Sequence, residues 1–157
     1  MTDTTLDKSA VKQRLYTHCL DYVTHHIEIN QRMVDESQEA ANEETKNTSG
    51  DRYETERAMK QRETELFGKR IEEALQLRAT LMSINADRQC TIVQPGALVF
   101  TTAGIFFIAI SSDEIIIDGE EYCMISVDSP IGAAMAGKRA GESFTFRGKK
   151  FSIEHIC

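Results

Sequence analysis

The sequence predicts an α+β protein in which two long helices precede a compact sheet domain. Residues 5–86 contain no proline and only two glycines, Gly50 and Gly68, so little in this stretch interrupts a helical pattern. Beyond it, apolar residues alternate with polar ones, which is typical of half-buried strands. We therefore divide the chain into residues 1–86, a helical hairpin, and residues 87–157, a sheet domain with one short helix.

Apolar or seam-compatible residues recur at spacings of four and three in both halves of the helical region. In the first half they are Leu15, Cys19, Tyr22, His26, Ile29 and Met33. In the second half they are Phe67, Ile71, Ala74, Leu77, Leu81 and Ile84. This spacing is the heptad stripe of helices that pair along a seam. The region therefore predicts an antiparallel coiled-coil hairpin with its tip at about residues 47–54.

The second region predicts an antiparallel sheet from a series of short segments. Its expected elements are strands at 97–102 and 104–110, a hairpin at 114–126, a helix at 129–137 and a hairpin at 142–156. Asp118-Gly119 suits the tight turn of the first hairpin, and Gly148 lies at the centre of the second. Ser129 is suited to cap the helix, with Pro130 at its first position.

Composition excludes several classes of function. The net charge of −7 disfavours direct binding to duplex DNA, which depends on neutralising phosphates. The longest apolar run, Gly104 to Ile110, is too short to span a membrane, and the first residues lack the apolar centre of a signal peptide. The four cysteines form no CxxC pair, which disfavours a zinc site or a disulfide scaffold. We expect a cytoplasmic protein without a membrane partner.

Two acidic residues at the predicted tip, Asp51 and Glu54, are separated by one helical turn. Their spacing fits a capping box, in which Asp51 accepts a bond from a backbone amide and Glu54 reaches back toward it. The same spacing places both carboxylates on one face of the helix. Two such groups cannot hold Mg²⁺ tightly by themselves, but they can complete a site whose other ligands come from a partner. The residues alone leave both interpretations open.

Several motifs resemble the bacterial Gre transcript-cleavage factors, and the resemblance covers nearly the whole chain. Gly50-Asp51-x-x-Glu54 is similar to the family's Gly-Asp-x-x-Glu motif. The segment at 129–142, "SPIGAAMAGKRAGE", is similar to its C-terminal signature, which implies an FKBP-like fold for the sheet domain. The sequence departs from the family at Thr55, where an asparagine is common, and in the segment before Gly50.

The resemblance implies a transcription elongation factor that enters the secondary channel of bacterial RNA polymerase. Asp51 and Glu54 would help to hold a shared Mg²⁺ and to orient a water for cleavage of backtracked RNA, while the polymerase's own carboxylates hold another Mg²⁺. The free protein would have no stable metal site. The protein would assist the polymerase's nuclease activity rather than act as an enzyme itself.

Two further groups of residues receive expected roles from the same resemblance. The cations near the tip, Arg52, Arg57 and Lys60, would contact phosphates at the 3′ end of the nascent RNA. The segment Asp128, Ser129 and Pro130 would dock on the rim of the polymerase channel.

Two alternatives to cleavage follow from the sequence. A non-cleaving relative that occupies the channel and inhibits or retunes the polymerase is compatible with the departures near the tip. Channel-binding regulators built on a zinc cluster are disfavoured because the cysteines are scattered. A peptidyl-prolyl isomerase is also disfavoured, because the chain has no tryptophan and its aromatic residues fall on the strand positions expected of a core.

Overall fold

The computed structural model describes residues 3–47 and 51–157, and the side chains of residues 8–40, 42 and 54–157. Its elements are α1 (Asp3–Asn47), α2 (Asp51–Met82), β1 (Leu98–Thr101), β2 (Gly104–Ile108), β3 (Glu114–Ile117), β4 (Glu120–Ile125), α3 (Pro130–Met135), β5 (Ser143–Phe146) and β6 (Lys149–Ile156). The predicted α+β class is confirmed. Residues 48–50, where the turn at Gly50 is predicted, lie outside the described residues. None of the described helices combines the length and apolarity that a membrane crossing requires.

The chain divides into two compact units. The sheet unit comprises residues 1–21 and 79–157, and the hairpin unit comprises residues 22–78. Both units therefore include part of α1 and part of α2. The division predicted at residue 86 follows the change from helices to strands, and it stays a prediction about the domains.

The six strands form one sheet in the order β3-β4-β2-β1-β6-β5. Four neighbouring pairs are antiparallel, but β2 and β4 are parallel, so the prediction of a wholly antiparallel sheet was wrong for this pair. A tight turn fixes only the two strands that it joins. The chain passes from β2 to the edge strand β3 and then returns as β4 between them, and no local residue pattern encodes that placement.

Two tight turns join the predicted hairpins. Asp118 and Gly119 have φ values of 51° and 84°, and Arg147 and Gly148 have φ values of 52° and 77°. Two successive residues with positive φ form the type I′ turn, whose twist matches that of antiparallel strands. The sequence prediction of both hairpins is confirmed.

Both faces of the central strands are buried. On one face Val99, Phe106 and Ile108 pack in a core with Met135 of α3. On the other face, Leu98 of β1 is paired with Phe107 of β2, and both side chains are fully buried. Successive side chains of a strand point to opposite faces, so the sheet needs a covering layer on each side.

The first turns of α1 belong to the sheet unit and contact the last turn of α2 and the segment that follows it. Lys12 Nζ donates a hydrogen bond to the carbonyl of Arg88 at 2.8 Å, and Tyr16 Oη donates to the carbonyl of Leu81 at 2.7 Å. Leu15 and Cys19 are fully buried. Two side-chain bonds to main-chain carbonyls thus fix this part of α1 in the core.

In the hairpin unit the buried seam of α1 lies one position away from the predicted stripe. Val23, Asn30 and Ser37 are buried, and each is separated from the next by seven residues. Ser37 Oγ donates to the Glu63 carboxylate of α2 at 3.5 Å, and Asn30 Nδ2 donates to the carbonyl of His26 at 2.7 Å. These two bonds reduce the cost of burying polar groups.

The prediction of the seam was therefore wrong for four residues of the stripe. These four residues are exposed, and they are His26, Ile29, Met33 and Leu77. The stripe was chosen by apolarity, whereas the pairing of the two helices places Asn30 and Ser37 inside. Predicted seam residues Ala74 and Leu81 are buried as expected.

We predict that two leucines of α2 differ sharply in their effect on stability. Leu81→Ala empties a fully buried site and should lower the free energy of unfolding by about 2–5 kcal/mol. Leu75, which is 46% exposed, is the matched control, and Leu75→Ala should change it by less than about 0.5 kcal/mol. Urea unfolding monitored by circular dichroism measures both. Equal losses would contradict the burial of Leu81.

Candidate functional site

The two acidic residues of the predicted tip lie in the first turn of α2. Asp51 is the first residue of this helix, and Glu54 is exposed. The side chains of Asp51 and Arg52 lie outside the described residues, so the predicted capping bond of Asp51 does as well. Residues one turn apart share a helix face, and the helix dipole favours carboxylates at this end. The backbone of α2 therefore presents both acidic positions on one side.

A polar groove between the two helices begins one turn beyond Glu54. The groove encloses about 460 Å³ and is lined by Gln38 and Asn42 of α1 and by Arg57, Lys60, Gln61 and Thr64 of α2. It thus brings together two of the three cations that the sequence predicted as RNA contacts. The amide side chains beside them are donors and acceptors suited to a phosphate and its sugar.

The two cations of this groove differ in their surroundings. Arg57 is exposed, whereas Lys60 is half-buried and forms an ion pair of 3.5 Å with Glu63. Glu63 also accepts the hydrogen bond from Ser37. A phosphate at Lys60 must therefore compete with a carboxylate, whereas Arg57 offers its planar guanidinium at the surface for a bidentate contact.

Sequence reasoning missed the groove residues Gln38, Asn42 and Gln61. The only signal is that Gln38 and Asn42 are four residues apart, a spacing that places them on one face of α1. Their position opposite Arg57 and Lys60 depends on how the two helices pair, and the sequence misplaced that pairing by one position.

The predicted docking segment is held rigidly in the sheet unit. Ser129 Oγ donates to the carbonyl of Ser126 at 2.6 Å and accepts the amide of Gly132 at 3.1 Å, so the predicted cap of α3 is confirmed. The amide of Asp128 donates to Ser126 Oγ at 3.1 Å. A Cβ atom at Gly132 would lie 2.0 Å from the Ser126 carbonyl oxygen. Asp128 and Pro130 are exposed, so this loop fixes the surface that they form.

His18 and Cys19 of α1 both have structural surroundings. His18 Nε2 lies 2.9 Å from an Asp113 carboxylate oxygen, and this hydrogen bond lowers the pKa of Asp113. Burial raises the pKa of Cys19 to about 12, which leaves its thiol protonated and unreactive.

Within the described part of the chain, no three His, Cys, Asp or Glu residues form a group that could hold a metal ion. The exposed carboxylate of Glu54 is a hard oxygen ligand of the kind that Mg²⁺ accepts. Mg²⁺ needs several ligands in octahedral order, so any ion bound at this position requires ligands beyond those of the described residues.

The comparisons with known proteins assign no family to this chain. A comparison with protein-family models found no match for this chain, and a comparison with curated proteins found none either. The predicted tip belongs to the hairpin unit and the predicted docking segment belongs to the sheet unit. Each of these sites therefore stands on its own local geometry.

We predict that Gly132→Ala and Asp128→Ala affect stability very differently. Gly132→Ala forces the Ser126 loop to move and should lower the free energy of unfolding by more than about 2 kcal/mol. Asp128→Ala removes an exposed side chain and should cost less than about 1 kcal/mol. Thermal unfolding measures both, and an unchanged melting temperature for Gly132→Ala would contradict the close approach.

Proposed function

We propose that this protein is a cytoplasmic transcription elongation factor of the Gre type. Its helical hairpin enters the secondary channel of bacterial RNA polymerase and stimulates cleavage of backtracked nascent RNA by the polymerase's own nuclease activity. The observation that carries this proposal is the pair of acidic positions, Asp51 and Glu54, in the first turn of the second of two long helices. A site of two acids on a helix end suits a function that completes another protein's catalytic centre.

The coarse architecture supports the proposal. Two long helices precede a six-stranded sheet with a short helix, and within the hairpin unit Ser37 contacts Glu63 while Tyr22 and Leu77 line one groove. From the first of these pairs to the second, the residue number falls along α1 and rises along α2, so the two helices run in opposite directions. Together with buried residues at intervals of seven, these contacts support a finer proposal, in which the hairpin is an antiparallel coiled coil. We also propose that the sheet unit is FKBP-like, on the resemblance at 129–142.

The acids serve to add ligands to a metal site that the polymerase supplies in part. Mg²⁺, when bound between the two proteins, supplies positive charge for the attacking and leaving oxygens of phosphodiester hydrolysis. Glu54 is exposed, so a partner can reach its carboxylate without unfolding the helix. The spacing to Asp51 allows both residues to face the same ligand.

The polar groove supports a role in holding RNA close to these acids. Arg57 and Lys60 line it one and two turns beyond Glu54, and Arg52 lies between the two acids in the sequence. Their charges attract phosphates, and the guanidinium of Arg57 is suited to bidentate contact. These residues orient the RNA 3′ end and neutralise part of its charge.

The sheet unit serves as the docking module for the rim of the channel. Its central strands are filled by side chains on both faces, which disfavours an isomerase pocket there. The segment 126–132, which ends in the first residues of α3, presents Asp128 and Pro130 at the surface and is held by three hydrogen bonds. A rigid surface segment loses little entropy on binding, so it is suited to docking.

We predict that Asp51→Asn and Glu54→Gln each reduce transcript cleavage at least about tenfold, because they keep the side-chain size but remove charge that Mg²⁺ requires. Glu65→Gln, at an exposed carboxylate later in α2, is the matched control and should retain full activity. Cleavage is measured on stalled elongation complexes, and raised Mg²⁺ should partly restore the rate of both tip variants. Near-normal cleavage in both tip variants would show that the acids only cap α2.

The same assay separates cleavage from regulation without cleavage. Thr55 stands where the family commonly has an asparagine, and this difference favours the non-cleaving relative as the second candidate. If the wild-type protein competes for the channel but does not stimulate cleavage, then the cleavage assignment is wrong and the protein is a channel-binding inhibitor.

We predict that Asp128→Ala weakens polymerase binding by about tenfold while the protein stays folded, because an exposed charge on a fixed loop is lost at an interface. Glu154→Ala, which removes another exposed carboxylate from the sheet unit, is the control. Binding is measured by fluorescence anisotropy with labelled protein. Wild-type affinity for Asp128→Ala would place the docking surface elsewhere.

A further inference from the structure

Part of the predicted heptad stripe of α1 lies on the surface of the hairpin unit. Ile29 is 41% exposed and Met33 is 37% exposed. One and two turns before them, the rings of Tyr22 and His26 are in contact, with centroids 4.5 Å apart. Residues at spacings of four, three and four occupy one side of a helix, so these four side chains form a continuous stripe beside the buried seam.

Helix α2 extends this stripe into a wider face. A groove of about 170 Å³ is lined by Tyr22, Val23, His26 and Asn30 of α1 and by Arg70, Glu73, Ala74 and Leu77 of α2. Leu77 is therefore on the same side of the hairpin unit as the stripe. Leu66, which is 47% exposed, lies one turn before Arg70 and shares its side of α2.

We define the apolar face by its six members, Tyr22, His26, Ile29, Met33, Leu66 and Leu77. Single exposed apolar residues are ordinary, but a group aligned along two neighbouring helices is typical of an interaction site. The heptad spacing along α1 is the spacing with which a helix packs against another helix. We propose that the apolar face binds the same face of a second copy of this chain, so that two hairpin units form a four-helix homodimer.

Charge complementarity points to a second copy as the occupant. Along α1 the face is bordered by two carboxylates and one guanidinium, those of Glu28, Glu36 and Arg32. Along α2 it is bordered by three cations and two carboxylates, those of Arg62, Lys69, Arg70, Glu65 and Glu73, all of them exposed. The border on α1 therefore carries a net negative charge, and the border on α2 carries a net positive charge.

A two-fold axis between the copies brings these borders together. An isologous interface must match a surface with itself. When the axis runs along the helices, α1 of each copy lies over α2 of the other copy. The acidic border of one chain then meets the basic border of the other chain twice, and the opposed helices run antiparallel. The alternative axis places α1 over α1, which sets like charges together, so the charges favour the first arrangement.

The homodimer does not depend on the proposed function, but it has a consequence for it. A dimer covers the apolar face of both hairpin units and doubles the number of packed helices. A pair of hairpins cannot enter a channel that admits one. If the proposed function holds, the dimer and the polymerase-bound form exclude each other, and self-association regulates access to the polymerase.

The first experiment is sedimentation equilibrium of the full chain from about 1 to about 500 µM, a range that covers typical weak dimers. We expect a monomer–dimer equilibrium. The double variant Ile29→Ser, Met33→Ser should raise the dimer Kd by about tenfold or more. Leu75→Ser is the matched control, because Leu75 is 46% exposed but lies two residues from Leu77 and so on another side of α2. It should leave the Kd unchanged.

The second experiment reverses the charges of one border at a time. A chain with Arg62→Glu and Lys69→Glu, and another with Glu28→Lys and Glu36→Lys, should each dimerise less than the wild type. Mixed together, they should form a heterodimer, because each acidic border again meets a basic one. All four positions are exposed, so the fold tolerates these changes, and circular dichroism verifies this for each variant.

Three outcomes would overturn the proposal. These are a monomer at every concentration, an equal effect of the Leu75 control and the double variant, and charge variants that fail to recover when mixed. None of these measurements involves the polymerase, so their failure leaves the cleavage and docking assays unaffected. Conversely, a protein without cleavage activity can still dimerise through this face.

Discussion

The burial of both faces of the central strands is the constraint on which the sheet unit depends. Leu98 and Phe107 fill one face, while Val99 and Phe106 fill the other. Helix α3 has only six residues and contributes to one core. The other face borders a cleft that is lined by Val11 of α1 together with strand residues. The first turns of α1 are therefore a layer of the sheet unit as well as the start of a long helix.

This layer brings a lysine amine into the interior. Lys12 is only 3% exposed, and burial lowers its pKa, although nearby Cys90 and Cys157 act in the opposite direction. Its bond to the Arg88 carbonyl supplies a partner for a charge that is otherwise costly to bury. Burial also raises the pKa of Cys157. Lys12 therefore fixes α1 against the segment after α2, and the raised pKa of Cys157 keeps its thiol protonated.

Local patterns predicted the elements of this fold well. Strand alternation, the paired positive-φ residues Asp118 and Gly119, and the Ser129 cap involve only neighbours in the sequence, so their signals are complete within a few residues. The parallel pairing of β2 with β4 and the seam at Asn30 were missed because each depends on which distant segment lies alongside. The most apolar stripe was a poor guide to the seam, since hydrogen bonds satisfy the polar residues inside it.

The candidate sites likewise differ in how much of each site the sequence predicts. The acids of α2 and the docking segment were chosen from short motifs. For the docking segment, the structure shows the hydrogen bonds that hold it in place. The resemblance implied roles for Arg57 and Lys60 as cations near the tip, but it did not indicate Gln38 and Asn42 across the groove. A site formed by one stretch of chain can be proposed from sequence. A site shared by two helices depends on the register of their pairing. In this sequence the apolar stripe predicts that register incorrectly.

The polar residues of the hairpin seam influence which side chains of α1 are buried and which are exposed. Asn30 and Ser37 occupy positions where apolar side chains usually contribute most to helix pairing, so the seam gains register at a cost in stability. Ile29 and Met33, which lie one residue before and three residues after Asn30, are correspondingly turned outward. A shift of one position would bury them and expose the amide and the hydroxyl. The Ser37 bond to Glu63 of α2 favours the observed register, and the bond of Asn30 to the His26 carbonyl satisfies the buried amide within α1. The same choice of residues thus specifies how α1 meets α2 and leaves apolar side chains available to a further pair of helices.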